Sequence, residues 1–138
     1  MSVHTIILAA GHGSRMKSKK AKVLQQIGGT SMLEKICYTA GAVSSDITLV
    51  VGFDKESVLE EAGNYNLNIT SSLQPKPIGT GDAVRCGLDK VKDHSKVLVL
   101  YGDVPLIRKE TLQNLIESSD SGLSILTTVL DKPFGYGR

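Results

Sequence analysis

The sequence predicts a single α/β domain with a doubly wound, mostly parallel sheet and helices on both faces. Two observations predict this fold class. Apolar runs without polar alternation recur along the chain, which is typical of strands covered on both faces. Segments of helical periodicity separate these runs, which favours right-handed βαβ crossovers. Such a Rossmann-like sheet binds ligands at the carboxyl ends of its strands.

The first half of the chain predicts two strands and two helices. The apolar run over Thr5–Ala10 shows no alternation and indicates a buried strand. Ser31 and Glu34 have the spacing of a capping box, and the apolar residues after them recur at helical intervals, so a helix begins near Ser31. A second strand covers Ile47–Val51, and Asp54 is placed to cap a helix that runs to about residue 62.

The second half predicts three further strands and two helices. Leu67–Leu73 is a weaker third strand, and the two prolines just after it favour an extended loop. Gly79-Thr80-Gly81 opens a helix, and Lys96–Tyr101 is a fourth strand of the buried type. The last predicted elements are a short amphipathic helix around Leu112–Ile116 and a fifth strand over Leu123–Leu130, which is rich in β-branched residues.

Composition excludes several function classes. The formal net charge of +2 gives no field of the strength that nucleic-acid binding requires. The apolar run near the N-terminus is far too short for a signal peptide or a membrane span. Cys37 and Cys86 stand in apolar helical surroundings without metal-ligand spacing, so buried reduced thiols are favoured over a disulfide. We therefore expect a cytoplasmic protein with no nucleic-acid or membrane partner.

A glycine loop follows the first predicted strand. Its residues are Leu8-Ala9-Ala10-Gly11-His12-Gly13-Ser14-Arg15-Met16. A dinucleotide fingerprint needs glycine at position 16 and a Walker A loop needs Gly-Lys-Ser/Thr, so neither phosphate motif is present. The backbone N–H groups of Gly11 and Gly13 can still approach phosphate oxygens, and Arg15 can bind them in a bidentate manner. The alternative is an ordinary turn between a strand and a helix.

Lys22 and Asp103 add one cation and one carboxylate to this loop. Val23 and Leu24 return the chain to the core directly after Lys22, so its amine is held nearby and can neutralise phosphoryl charge. Asp103 ends the fourth strand and can hold Mg²⁺ there, a simple turn aspartate being the alternative. The first and fourth strands of a doubly wound sheet are neighbours, so we expect the loop and Asp103 to share one crevice.

Gln74 and the segment Gly79-Thr80-Gly81 leave and enter elements at the same edge of the predicted sheet. A side-chain amide carries both a donor and an acceptor and can recognise a nucleobase edge, and bare glycine N–H groups can complete the pattern. The alternative is a plain loop followed by Thr80 as the helix N-cap. Both interpretations place a loop beside the glycine-rich turn.

Five motifs together resemble one enzyme family. They are the glycine loop, Lys22-Val23-Leu24, Gly79-Thr80-Gly81, Leu100-Tyr101-Gly102-Asp103-Val104-Pro105-Leu106 and Gly135-Tyr136-Gly137-Arg138. In order and spacing they are similar to the uridylyltransferase domain of bacterial bifunctional N-acetylglucosamine-1-phosphate uridylyltransferase/glucosamine-1-phosphate acetyltransferase. The resemblance covers essentially the whole chain. It implies a fold of the nucleotide-diphospho-sugar transferase type and transfer of UMP from UTP to N-acetylglucosamine 1-phosphate, giving pyrophosphate and UDP-N-acetylglucosamine, a peptidoglycan precursor for the cell wall.

The resemblance also implies roles for individual residues. Arg15 and Lys22 would act on the phosphates, Asp103 would hold Mg²⁺, and Gln74 and Gly79 would contact uracil with Thr80 beside them. Tyr101 and Gly102 would border the sugar, and the amide of Gly137 would meet its acetamido group. The backbone groups implied to line the nucleotide belong to Leu8, Ala9, Ala10, Gly11 and, in the same loop, Gly13.

The chain departs from the family pattern at three points. Ala21 stands where the family usually has proline, so we expect a looser turn before Lys22. Pro77 replaces a common glutamine, which removes an amide from the uracil loop. The family domain continues past Arg138 with further sugar and metal ligands and with an acetyltransferase β-helix. We therefore expect residues 1–138 to be the nucleotide-binding part of one domain, incomplete at the C-terminus, that binds UTP weakly and turns over little alone.

Two alternatives to this enzyme assignment remain open. In the first alternative, the chain is a non-catalytic uridine-nucleotide-binding module or a split subunit. Such a subunit would complete its sheet with a companion chain or by self-association, because an unfinished sheet exposes an edge. Another sugar-phosphate nucleotidyltransferase with a different base or sugar is the remaining alternative.

Overall fold

The computed structural model describes residues 2–93, 95–119 and 122–135. Six strands occur in this part of the chain, namely β1 (Val3–Ala9), β2 (Gln26–Ile27), β3 (Thr30–Ser31), β4 (Asp46–Val51), β5 (Ile69–Leu73) and β6 (Lys96–Tyr101). The α-helices there are α1 (Met32–Gly41), α2 (Lys55–Ala62), α3 (Thr80–Leu88) and α4 (Lys109–Glu117). Short 3-10 turns cover Ser14–Met16 and Lys22–Leu24.

The main sheet has the strand order β5-β4-β1-β6, and all of its pairings are parallel. β1 therefore lies between β4 and β6, with Leu8 opposite Val50 on one side and Tyr101 on the other. This order confirms that the first and fourth predicted strands are neighbours. The small strands β2 and β3 form a separate antiparallel ribbon ahead of α1.

Helices cover both faces of the sheet, as the apolar runs predict. Alternate residues along β1 point to opposite faces, so Ile7 packs into one core cluster and Ile6 into the other. The larger cluster contains Leu33 of α1, which is fully buried, and residues of α2 and α4. The smaller cluster contains Ala83 of α3. This arrangement is the doubly wound α/β fold.

β6 is buried on only one face, which differs from the sequence expectation. Leu98 and Leu100 face the larger core cluster, whereas Val97, Val99 and Tyr101 are 40%, 38% and 50% exposed. Helix α3 covers the other face of the sheet, but it packs against β1, β4 and β5 and leaves β6 uncovered on that face. An apolar cavity of about 810 Å³ lies between β6, α4 and residues 122–126.

The fifth strand predicted over Leu123–Leu130 is wrong. These residues belong to no strand, and Leu123, Ile125 and Val129 are 83%, 72% and 95% exposed. β-Branched residues favour strands because their side chains pack against those of neighbouring strands. The preference therefore has no effect in a segment that has no neighbouring strand to pair with. Within the described residues, this segment has none.

Two helix starts can be compared with their predicted caps. Ser31 Oγ accepts a hydrogen bond from the Glu34 amide at 3.0 Å, which confirms the predicted N-cap of α1. Asp54 precedes α2, but its side chain makes no capping bond to the helix backbone. It instead accepts hydrogen bonds from the Ala21 amide at 3.0 Å and from the Ser57 hydroxyl at 2.7 Å. Asp54 therefore joins α2 to the segment that carries Lys22.

The cysteines are free thiols. Cys37 is fully buried in α1 and Cys86 is partly buried in α3. Burial raises the pKa of Cys37 to about 12, with the Glu61 carboxylate as a second cause, so this thiol is not a ready nucleophile. No helix of the described residues has the length and apolar character that a membrane crossing requires.

His4 is a buried titratable group at the start of β1. Its side chain is 3% exposed, and Nε2 lies 2.7 Å from the Thr48 hydroxyl. Nδ1 is buried and has no hydrogen-bond partner among the described residues. Burial lowers the pKa of His4, the Asp46 carboxylate opposes this shift, and the Lys92 ammonium adds to it. The neutral ring is therefore the form that the fold accommodates.

We expect acidification below about pH 6.5, the ordinary histidine pKa, to destabilise the protein through His4. The folded state binds this proton less readily than the unfolded chain, so stability is present above that pH and is lost as the pH falls toward the lower folded pKa. Thermal unfolding midpoints between pH 7.5 and 5.5 should therefore fall more steeply for the wild type than for His4→Gln. His12→Gln, which changes an exposed ring, should keep the wild-type slope. If the thermal midpoints of wild type and His4→Gln fall with pH at the same slope, His4 is not the cause of the acid destabilisation.

Candidate active site

A pocket of about 330 Å³ lies at the carboxyl ends of β1, β5 and β6. It is smaller than the apolar cavity beside β6, but backbone amides, a lysine, a glutamine and an aspartate all reach it. The pocket is lined by Leu8, Ala9, Ala10, Gly11, Gly13, Lys22, Val23, Gln74, Pro77, Gly79, Thr80, Ala83, Tyr101 and Asp103.

Gly102 holds the end of β6 tightly against β1. Its amide donates to the Leu8 carbonyl at 2.9 Å, which extends the parallel ladder by one residue. A Cβ at this position would lie 2.9 Å from the Leu8 carbonyl oxygen and 2.8 Å from Val23 Cγ1. Only glycine fits without displacing backbone, and the close approach places Asp103 beside the glycine loop.

Lys22 is anchored at its base and meets Asp103 at its tip. Ala21 is fully buried and Val23 is 5% exposed, so the residues on either side of Lys22 belong to the core. Lys22 Nζ lies 2.8 Å from Asp103 Oδ2, and the two side chains are 40% and 37% exposed. Solvent screens such a pair, which contributes at most about 1 kcal/mol. The ammonium can therefore exchange this carboxylate for another anion.

Ala21 carries the turn that proline makes in the resembled family. Its φ of −53° is close to the proline value, although no ring fixes it. The Ala21 N–H, which proline would lack, donates to Asp54 Oδ2 at 3.0 Å. A hydrogen bond to α2 thus takes the place of the ring, and the expected loosening is offset.

The glycine loop packs against Lys22. Gly13 has φ +61°, and a Cβ there would lie 2.8 Å from Lys22 Cβ, so both conformation and space require glycine. The rings of His12 and Phe53 are in tilted contact, with centroids 3.9 Å apart and an angle of 44° between the ring planes. Arg15 lies in the following 3-10 turn, is exposed, and does not line the pocket.

Gln74 closes the opposite side of the pocket. Its backbone amide donates to the Val51 carbonyl at 2.8 Å, and its side chain is largely buried at 7% exposure. The side-chain nitrogen Nε2 donates to the Gly79 carbonyl at 3.1 Å and to Asp82 Oδ2 at 3.0 Å. Asp82 does not stand out in the sequence, because only the folded loop between Gln74 and α3 brings the two side chains together.

The residues predicted for the site fall into three groups. Eleven line the pocket, and they are Leu8, Ala9, Ala10, Gly11, Gly13, Lys22, Gln74, Gly79, Thr80, Tyr101 and Asp103. Gly102 lies just behind the lining and Arg15 lies outside it. Gly137 lies outside the described residues. The glycine loop and Asp103 share one pocket, as the strand order requires.

The family model of the MobA-like NTP transferase domain matches residues 5–135. The chain belongs to this family. The match includes β4, β5, β6 and all of β1 except its first two residues. It also includes every residue that lines the pocket. The described fold is therefore that of an NTP transferase domain.

Two curated relatives carry the name bifunctional protein GlmU. The one from Methylococcus capsulatus is 46% identical over 140 residues, and the one from Ruthia magnifica is 43% identical over 138 residues. The alignments cover 100% and 99% of this chain but 30% of each relative. This NTP transferase domain thus spans under a third of the length of these relatives.

A solved structure shares the fold at low sequence identity. The crystal structure of Rv0371C from Mycobacterium tuberculosis, a complex with manganese, superposes with a TM-score of 0.69 and 17% identity. The match covers 88% of this chain and 61% of that chain. At this identity the similarity shows the fold of the NTP transferase domain and no finer property.

We expect Gly102→Ala to lower the free energy of unfolding by about 1–3 kcal/mol, because the added methyl group meets the Leu8 carbonyl and Val23. Gly81→Ala is the matched control, since a Cβ on Gly81 meets nothing within 4 Å and the residue lies within α3. It should raise stability by about 0.5–1 kcal/mol. Urea denaturation followed by circular dichroism measures both changes. Equal stability of the two variants contradicts the close approach of β6 to β1.

Proposed function

We propose that the chain is the nucleotide-binding part of a sugar-1-phosphate uridylyltransferase that transfers UMP from UTP to N-acetylglucosamine 1-phosphate. The observation that carries the proposal is the contact of Lys22 with Asp103 beside the glycine loop, with Gln74 across the same pocket. A cation, a carboxylate and bare amides suit a triphosphate, and a buried amide suits a base. The family resemblance and the GlmU relatives support uridine and this sugar.

The glycine loop and Lys22 bind the phosphates in this proposal. Gly11 is exposed and has free space around its Cα, so phosphate oxygens can approach the backbone there. Lys22 exchanges its solvent-screened bond to Asp103 for the phosphate oxygens, at a cost of at most about 1 kcal/mol. Arg15 lies outside the pocket in the adjacent 3-10 turn, and the family resemblance suggests it as a further cation for the phosphates.

Asp103 fits a divalent cation that arrives with the nucleotide. No group of three or more His, Cys, Asp or Glu side chains stands together among the described residues, which excludes an all-protein cage there. A single exposed carboxylate beside a phosphate site is instead the donor set that Mg²⁺ usually uses. When bound, Mg²⁺ neutralises negative charge on the phosphates.

The reaction needs no covalent intermediate with the protein. A phosphate oxygen of the sugar phosphate attacks the α-phosphorus of UTP, the bond to the β-phosphate oxygen breaks, and pyrophosphate leaves with the electron pair. Lys22 and the loop amides hold the phosphates in line and neutralise charge, so catalysis is mostly alignment. Gln74 and Gly79 orient uracil, with Thr80 beside them.

The sugar side of the site requires more polypeptide than the described pocket provides. Tyr101, which is half exposed, and Gly102 would border the sugar at the end of β6. The family resemblance implies that the amide of Gly137, which lies outside the described residues, would meet the acetamido group. We therefore propose nucleotide binding for this chain and full turnover for a longer assembly, as befits a chain that spans about 30% of its curated relatives. We propose the cytoplasm as the location of this chemistry.

A second candidate function is a nucleotide-binding subunit that another polypeptide completes. The open face and edge of β6, with Val97, Val99 and Tyr101 exposed, favour it because unpaired strands recruit further strands. The occupant we propose is the remaining polypeptide of the same nucleotidyltransferase domain. Self-association through β6 is the alternative, and sedimentation velocity separates a monomer from a dimer.

Calorimetric titration with UTP, with and without Mg²⁺, tests the proposed function. Mg²⁺ should raise the UTP affinity of the wild type about tenfold, and Asp103→Ala should abolish that gain, since a charged interaction is lost. Asp89→Ala, which removes an exposed carboxylate from the far end of α3, is the control and should behave as wild type.

Two outcomes of this titration contradict the proposal. Failure of the wild type to bind UTP at millimolar concentration removes the nucleotide function. A Mg²⁺ effect that survives in Asp103→Ala retains the nucleotide but removes Asp103 as the metal ligand.

A further inference from the structure

Gln74 presents its side-chain amide in one fixed orientation. Nε2 donates one hydrogen bond to the Gly79 carbonyl at 3.1 Å and another to Asp82 Oδ2 at 3.0 Å. Both partners are acceptors only, because a carbonyl and an ionised carboxylate have no proton to give. The opposite orientation would turn Oε1 toward two oxygens. The end of the amide that remains for a ligand is therefore the acceptor Oε1.

Asp82 is itself held in the form that this orientation requires. Arg85 Nη2 lies 2.7 Å from Asp82 Oδ1, so one carboxylate oxygen binds the guanidinium and the other accepts from Gln74. The hydrogen bond from Arg85, followed by that from Gln74, keeps the pKa of Asp82 below its ordinary value. The side chain is 14% exposed and lies in the first turn of α3. At neutral pH it is a fixed anion and an acceptor.

The free end of the amide is accessible to a ligand. Gln74 lines the pocket, and Oε1 accepts no hydrogen bond from a described residue. Among the described residues, the buried side-chain polar atom without a hydrogen-bond partner is His4 Nδ1. Gln74 Oε1 is therefore not buried away from solvent. An accessible acceptor on a side chain that is otherwise almost buried can meet a donor on a ligand.

We propose that Asp82 is a positioning residue that sets the base preference of the pocket through Gln74. Uracil carries a donor at ring position N3, whereas cytosine of the same size carries a lone pair there. With Oε1 fixed toward the base, uracil gains a hydrogen bond and cytosine places acceptor against acceptor. The inference rests on the proposed function, because it assumes that Gln74 faces the base of a bound nucleotide.

The alternative role for Asp82 is purely structural. An acidic residue in the first turn stabilises a helix through its dipole, and Asp82 is so placed in α3. Loss of that stabilisation would weaken the binding of every nucleotide to the same degree. A positioning role instead changes the ratio of two affinities, because only the amide orientation distinguishes uracil from cytosine.

Competition binding of UTP and CTP to Asp82→Ala separates these roles. The quantity measured is the ratio of the CTP to the UTP dissociation constant, in the presence of Mg²⁺. The wild type should favour UTP about tenfold, which corresponds to one hydrogen bond in a partly desolvated site. In Asp82→Ala the ratio should fall about fivefold, since the Gly79 carbonyl alone then holds the amide, which can turn its donor toward cytosine more easily. Asp89→Ala, which removes a carboxylate from the same helix, should keep the wild-type ratio.

Asp82→Asn keeps the experiment decisive where alanine impairs folding. Asparagine preserves the side-chain volume and offers both a donor and an acceptor to Gln74, so it tolerates either amide orientation. Its ratio should fall about threefold, with a thermal midpoint near that of the wild type. An unchanged ratio in a folded Asp82 variant overturns the positioning role. A wild-type ratio near one instead removes uridine recognition from the proposed function and leaves the Asp82 contact without consequence.

Discussion

The pairing of β1 with β6 is the constraint on which the site depends. These strands are far apart in the chain, and their parallel ladder brings a glycine loop and an acidic residue to one edge of the sheet. Gly102 continues that ladder at a spacing that excludes any side chain. A wider separation would move Asp103 out of reach of Lys22. The polar chemistry of the pocket is thus set by backbone packing in a largely apolar core.

The pocket contains polar groups of two kinds, those held in place by hydrogen bonds and those that are only weakly paired. Gln74 is buried and held by two hydrogen bonds, so it recognises a ligand without reorganising. Lys22 and Asp103 are exposed and paired only weakly, so each can exchange its partner for another ion. Ala21 and Asp54 hold the lysine segment to α2 and confine the motion to the side chain. A rigid amide at one end of the pocket and an adaptable ion pair at the other would suit the base and the phosphates of the nucleotide in the proposed function.

Much of the fold and part of the site could be predicted from the sequence, because both depend on periodicity and topology. Unbroken apolar runs identified β1, β4 and β6, and the strand order then implied that Asp103 meets the glycine loop. The segment Leu123–Leu130 failed because strand preference has no effect without a neighbouring strand. Contacts across loops, such as Asp82 with Gln74, depend on side-chain positions that no periodic pattern encodes.

The strand order also bears on how the chain acquires its structure during synthesis. β1 emerges first, yet one of its two neighbours is β6, which ends at residue 101. At translation rates of about 5–20 residues per second, the first strand waits on the order of 5–20 s for that partner. Throughout this interval one side of β1 has no strand to pair with, and an unpaired strand is a site at which other chains can associate.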